Sequence, residues 1–257
     1  MISGSMPLIL VTNDDGVQSE GIHVLAEAMK TLGDVVVVGP LQEASAIGHA
    51  LTLRRPLRIE TISDGVYAVD GTPTDCVNLG CEIILKRLPD LVVSGINKGW
   101  NLGDDITYSG TVAGAMEAAL LGIPAIAVSL KRTPTFDFTH AAQAALTVAR
   151  AALANQWPAR TFLNVNVNSG EPRGFRVTTQ ARRNHVTKID SRLDPRGQAY
   201  YWIEEALDEW HPGGGRSDYE AVMEGYVSVT PLQADLTDYA ALGDLERLMD
   251  GHGGAQT

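Results

Sequence analysis

Short apolar runs punctuate the first two-thirds of the chain, at residues 8–11, 35–38, 91–93 and 125–128. They are rich in Val and Ile and do not alternate with polar residues, as expected of strands covered on both faces of a parallel sheet. Between them lie stretches with helical spacing: 21–32, 76–85, 111–121 and the Ala-rich 140–154. Strand alternating with helix predicts right-handed crossovers and a doubly wound α/β architecture, with helices on both sides of a mostly parallel sheet.

Two helix boundaries are written into the sequence. Thr72-Pro73-Thr74-Asp75 supplies an N-cap hydroxyl, a proline at the first helical position and an acid at the third. Gly122 followed by Pro124 ends the helix that begins at Thr111. After about residue 170 the pattern changes. Arg182-Arg183, Tyr200-Tyr201-Trp202, the glycine run 213–215 and a strand-like segment at 226–229 suggest hairpins and extended arms, and 239–249 reads as an amphipathic helix. The expected division is an α/β core over 6–170 and an extension over 171–257.

Composition narrows the functional classes. The 257 residues are 44% hydrophobic, enough to bury a substantial core, and the formal charge is -11. That charge offers no field to draw in a nucleic acid duplex or an anionic membrane surface. No apolar run approaches the roughly 18 residues of a spanning helix, and the N-terminus lacks a secretion-signal pattern, so a soluble, cytoplasmic protein is expected. Two cysteines, Cys76 and Cys81, are too few for a disulfide framework and read as buried thiols.

The chemistry-bearing residues fall after the apolar runs. The first run ends in Thr12-Asn13-Asp14-Asp15-Gly16. Two adjacent carboxylates at the carboxyl end of a strand form a hard-oxygen site, although Asn-Asp-Asp-Gly is also an ordinary turn. The second run leads into a loop with Ser45, Gly48 and His49, and the third into Ser94-Gly95-Ile96-Asn97-Lys98-Gly99. Carboxylate, carboxylate, hydroxyl and amide oxygen suit Mg²⁺ or Mn²⁺ rather than structural Zn²⁺. Tyr108-Ser109-Gly110-Thr111 opens a helix, which is either a phosphate cradle or a simple Ser/Thr cap. Lys98 is either a point charge for a phosphate or a solvated loop lysine. The six histidines do not pair at ligand spacing, and Walker A, GxGxxG and GxSxG motifs are missing.

Together these segments resemble the survival protein SurE family of metal-dependent nucleotide phosphatases. The resemblance rests on residues 10–16, 40–52, Gly71-Thr72-Pro73-Thr74-Asp75-Cys76, 94–99 and 108–115 in that order. It implies a Rossmann-like three-layer fold with a C-terminal hairpin and helix extension exchanged between subunits, in a homodimer or homotetramer. It implies one divalent ion per subunit, Mg²⁺ or Mn²⁺ with Co²⁺ as a third candidate, on Asp14, Asp15, Ser45 and Asn97. Catalysis is then assigned to Asp14, Asp15 and Asn97, and substrate binding to Asn13, Gly95, Lys98, Ser109, Gly110 and Thr111. Gly16, Gly71 and Thr72 support the loops.

The expected activity is hydrolysis of nucleoside 5′- and 3′-monophosphates, with short polyphosphate as a further candidate substrate. Two rivals share the motifs. One is a nucleotide-binding sensor with the same pocket and no turnover. The other is a phosphoacceptor receiver domain, opposed by the lack of an acceptor aspartate in the Ser94 to Asn97 segment.

Overall fold

The structure, a computed structural model, describes residues 6–184, 187–205, 209–211 and 215–252. His185, Gly213 and Gly214 lie outside the described residues. In chain order the elements are β1 (Leu8–Thr12), α1 (Glu20–Met29), β2 (Asp34–Pro40), β3 (Ile59–Ser63), β4 (Val66–Val69), α2 (Pro73–Leu79), β5 (Leu91–Lys98), α3 (Gly110–Leu120), β6 (Ala125–Leu130), α4 (Thr139–Ala154) and β7 (Thr161–Val167). They continue with β8 (Phe175–Val177), β9 (Arg182–Asn184), β10 (Thr187–Leu193), β11 (Ala199–Glu205), β12 (Glu209–His211), α5 (Asp218–Met223), β13 (Val227–Gln233) and α6 (Leu242–His252).

Nine strands form the main sheet in the order β3-β4-β2-β1-β5-β6-β7-β13-β8. The six from β4 to β7 are all parallel, whereas β3 and β13 pair antiparallel with β4 and β7. From β1 the chain steps outward to β2 and β4, then returns to β5 on the other side of β1. That reversal opens a crevice beyond the carboxyl ends of β1 and β5, the position where ligands bind in open α/β sheets.

Side chains alternate across the sheet, so each buried strand feeds two cores at once. Ile9 and Val11 pack with Ile22, Leu25 and Met29 of α1 and Ala145 and Val148 of α4. Leu10, one residue out of phase, packs with Val38, Val92, Cys76 and Val77 of α2, and Val112 and Ala115 of α3. Burial on both faces is why these runs show no polar alternation. Each Ile or Leu so buried contributes about 1.5–3 kcal/mol relative to exposure. Both cysteines are free and buried.

The expected caps are present. Thr72 Oγ1 accepts from the Asp75 backbone N–H while the Asp75 carboxylate accepts from Thr72 N–H, a reciprocal box that starts α2 with Pro73 in its first turn. Beyond Leu79 the expected single helix over 76–85 changes to a wider π-helical turn, Gly80–Leu85, ended by Lys86 in the left-handed region. The main sheet continues past residue 170, because β13 and β8 are its last two strands. The arms lie further on: among the described residues β10 and β11 pair only with each other, and β9 pairs with β12. Tyr200, Tyr201 and Trp202 sit on β11 and are exposed, as are Leu245, Leu248 and Met249 of α6.

Candidate active site

Three strand ends and one helix start build the site. The turn after β1 is held by Asn13, whose Nδ2 donates to Gly16 O at 2.9 Å. The loop after β2 is tied to it twice, through Val17 N–H to Pro40 O and Ala44 N–H to Asp14 O, both 2.8 Å. Ser45 therefore follows a residue bonded directly to the Asp14 backbone. Its hydroxyl donates to Glu43 Oε1 at 2.7 Å, so an exposed carboxylate stands beside it.

Asn97 lies at the carboxyl end of β5, just past a bulge. Ser94 pairs with Ala127 and Asn97 with Ser129, so Gly95 and Ile96 together oppose Val128. A bulge of this kind re-aims the side chains that follow it. Gly95 has φ +142°, and a Cβ there would lie 2.4 Å from Val128 O, so only glycine fits. The Gly95-Ile96 peptide is cis. Asn97 Nδ2 donates to Gly99 O at 2.9 Å, which leaves its carbonyl oxygen as the acceptor of the pair.

Asp14 is only 4% exposed and sits against the start of α3. A Cβ on Gly110 would lie 2.8 Å from Asp14 Cβ and 3.0 Å from its Oδ2, so the helix approaches this closely only with glycine there. Thr111 donates its hydroxyl to Asp14 Oδ1, and its backbone N–H also favours the ionised carboxyl. Burial outweighs both and, with Asp15 adding repulsion, raises the Asp14 carboxyl to about 6. Burial likewise raises Asp15, opposed by the Lys98 charge and backbone N–H and by Arg132, and reinforced by Glu43.

Two buried oxygens here lack a hydrogen-bond partner, Asp15 Oδ2 and Asn13 Oδ1. A buried carboxylate oxygen without a donor is costly unless a cation meets it. Among the described residues no group of three or more His, Cys, Asp or Glu is placed to hold a metal ion. By donor chemistry alone, the two carboxylates with the Ser45 hydroxyl and the Asn97 amide oxygen suit a hard cation such as Mg²⁺ or Mn²⁺ rather than a soft one.

The remaining expected residues frame this centre. Ser109 Oγ accepts from Val112 N–H at 3.1 Å and so caps α3. Thr72 Oγ1 donates to Ala50 O at 2.7 Å and the Asp75 carboxylate accepts from Thr52 N–H at 3.0 Å, which anchors the far end of the Ser45 loop. A Cβ on Gly71 would meet Asp75 Oδ2 at 2.6 Å, so Gly71 lets that anchor close.

A protein-family model described as Survival protein SurE matches residues 9–187. The chain is 53% identical over 243 residues to the 5′-nucleotidase SurE of Syntrophotalea carbinolica, covering 93% of this chain and 96% of that one. The chain belongs to the SurE family. The 5′-nucleotidase SurE of Aquifex aeolicus is 46% identical over 250 residues, covering 95% of this chain and 99% of the relative. The crystal structure of the SurE protein from Aquifex aeolicus superposes with a TM-score of 0.85 over 95% of this chain and 100% of that one. The expected α/β fold is thus the fold of a solved SurE protein.

Several residues around this SurE site were not read from the sequence. Glu117 of α3 is buried and accepts from His49 Nε2 at 2.6 Å and Asn78 Nδ2 at 2.7 Å, pinning the Ser45 loop to two helices. Asn101 roofs the crevice through Asn164, Asn166 and Ser129, with hydrogen bonds of 2.7–3.0 Å. Asp218, fully buried on α5, accepts from Gly103 N–H at 2.9 Å and Ala181 N–H at 3.0 Å. The signal for the Asn cluster lies in the sequence of β7, where Leu163-Asn164-Val165-Asn166 puts amides on alternate positions of a buried strand. Glu117 and Asp218 carry no comparable signal, since a helix carboxylate ordinarily faces water.

Proposed function

We propose that this chain hydrolyses nucleoside monophosphates to the nucleoside and inorganic phosphate with the help of one divalent ion. The relatives named 5′-nucleotidase support the reaction class. The observation that carries the reading is the pairing of buried Asp14 with half-buried Asp15 at the sheet's switch point, with Asp15 Oδ2 lacking a donor. Asp14, Asp15, Asn97 and Ser45 would hold the ion, Mg²⁺ or Mn²⁺ by the hardness of the set, with Co²⁺ a third candidate. When bound, such an ion supplies Lewis acidity that polarises the phosphoryl group and acidifies water.

The chain's own groups do the rest. The first N–H of α3, at Gly110, faces the phosphoryl oxygens, because a helix start carries free donors and partial positive charge. Thr111 holds Asp14 rather than substrate, and Ser109 fixes the helix start. A carboxylate of the Asp14-Asp15 pair takes the proton of the water that attacks phosphorus in line. The phosphorus–ester oxygen bond breaks, and the nucleoside oxygen takes a proton from solvent at the mouth. Both 5′ and 3′ esters and short polyphosphate belong to the substrate class of this reading.

The extension completes it. The β10-β11 hairpin exposes Ile189, Leu193, Tyr201, Trp202 and Ile203, an apolar surface with no core of its own. A homodimer or homotetramer would cover it. No helix among the described residues is long and apolar enough to cross a membrane.

The test is phosphate release from nucleoside 5′- and 3′-monophosphates and tripolyphosphate with Mg²⁺, Mn²⁺ or Co²⁺, repeated after EDTA. Release that chelation stops and metal restores is expected. Bound nucleotide without release would leave a sensor, and release that survives exhaustive chelation would remove the ion from the reading. Sedimentation at micromolar concentration tests the assembly, which a single species near 27.5 kDa would overturn.

A further inference from the structure

We infer that Arg132 is a substrate-binding residue of this site, gripping the non-bridging oxygens of the nucleotide's phosphate from the side opposite the α3 helix start. The inference rests on the nucleotidase reading and adds to it a residue from the loop after β6.

Placement comes first. The β5-β6 register sets Lys98 beside Leu130, so Arg132 emerges two residues past the point where β6 ends, next to the end of β5. Its Nε and one terminal guanidinium nitrogen each lie 3.8 Å from the position a Cβ would take on Gly99, and Asn97 Nδ2 lies 3.9 Å from the same point. Arg132 and Asn97 therefore flank one small volume above Gly99. The absence of a side chain on Gly99 keeps that volume open. The guanidinium is also close enough to Asp15 to act on its charge.

Charge supplies the second argument. The crevice gathers Asp14, Asp15 and Glu43 in a chain of net charge -11, a field that repels a phosphate dianion. Lys98 and Arg132 are the cations that act on Asp15. Arg132 is exposed, and among the described residues no carboxylate forms an ion pair with it. A guanidinium in that position presents a planar fork of donors that matches two oxygens of one phosphate. It meets the bound dianion before reaction as well as during it, so its loss should fall on KM rather than kcat.

The test compares wild type with Arg132→Ala and Arg132→Lys on a nucleoside 5′-monophosphate and on para-nitrophenyl phosphate, which has no nucleoside. Loss of a charge-assisted hydrogen bond predicts a KM increase of roughly ten-fold or more for both substrates in Arg132→Ala, with a smaller rise in Arg132→Lys and kcat within about two-fold. Thermal protection by inorganic phosphate in the presence of Mn²⁺ should weaken by the same factor. Unchanged KM and protection would overturn the inference. A KM increase confined to the nucleotide would also overturn it, by placing Arg132 on the nucleoside, and so would a fall in kcat accompanied by a lower melting temperature. The protection measurement needs no turnover, so it decides the role of Arg132 even if wild type proves unable to hydrolyse nucleotides.

Discussion

Thr111 donates its hydroxyl to Asp14 Oδ1 across 97 residues of sequence, joining the start of α3 to the end of β1. The two elements lie on the same edge of the sheet, and the close Gly110 approach lets the hydroxyl reach. The carboxyl is held in one orientation by a group that carries no charge. Thr111→Val keeps the shape and removes the donor. A hydrogen bond to a charged group contributes about 1.5–3 kcal/mol, so kcat/KM should fall roughly ten- to hundred-fold. Thr111→Ser should recover most of it. Steady-state kinetics at saturating Mn²⁺ check this, and equal rates for the Val and Ser variants would show that the bond does not position Asp14.

Asp14 stores a stability cost that the cation would relieve. Burial raises its carboxyl from 3.8 to about 6, so in the chelated protein the protonated form is favoured below about pH 6 and the ionised form is carried at a cost above it. An acid raised on folding contributes stability that is complete below pH 3.8 and lost as pH rises through about 6. Asp14→Asn imitates the protonated form at every pH and keeps an oxygen for Thr111. In EDTA at pH 8 the variant should therefore be more stable than wild type, by about 1–3 kcal/mol, with the gap closing near pH 4. Its phosphatase activity should be lost. Denaturant melts at the two pH values decide it: a variant less stable than wild type at pH 8 would contradict the burial argument.

The sequence carried this centre where the chemistry sits in consecutive residues. Asn13-Asp14-Asp15-Gly16 is legible because β1 is a plain apolar run and its end is unmistakable. Thr72 to Asp75 is legible because a capping box is local. What pairs across the fold was not: the roles of Glu117, Asp218 and Arg132 depend on which strand ends become neighbours. The strands missed have physical reasons too. β3 is an exposed edge with one half-buried residue, and β7 interrupts its apolar positions with the buried amides Asn164 and Asn166. β13 reads as part of the extension because its partner β7 lies some 60 residues earlier in the chain.

His49 ties the Ser45 loop to α3 through Glu117. The His49 hydrogen bond is the largest influence holding the Glu117 carboxyl below 4.5, against burial, with Asn78 assisting. A depressed acid contributes stability that is present above 4.5 and lost as pH falls through the lower native value. His49→Ala should cost about 1–2 kcal/mol at pH 7, and the difference from wild type should narrow on acidification below pH 4. Because the loop carries Ser45, the Mn²⁺ concentration for half-maximal activity should rise several-fold. Paired melts and metal titrations check both. An unchanged metal titration would separate the His49 anchor from the metal site.

Asp218 is the last tie, and it links the C-terminal segment to the crevice. Its two oxygens accept from Gly103 N–H at 2.9 Å and Ala181 N–H at 3.0 Å, and Tyr219 N–H adds a third bond at 2.8 Å. Gly103 opens a short 3-10 turn, Gly103–Thr107, in the segment that leads from Asn97 to Ser109, and Ala181 precedes β9, the first strand of the arms. Removing the carboxylate leaves buried N–H groups in two separate segments without an acceptor, at about 1–3 kcal/mol each. Asp218→Ala should therefore destabilise the fold by several kcal/mol, while Asp218→Asn, which keeps one acceptor, should lose roughly half as much. Loosening the loop should also raise the amide exchange rate at Gly103 and lower kcat in the Asn variant. Hydrogen exchange on Asp218→Asn distinguishes a local from a global effect. Faster exchange at Gly103 and Ala181 with β1 and β5 still protected is the expected result; uniform acceleration across the sheet would make Asp218 a general stability residue with no particular hold on the site.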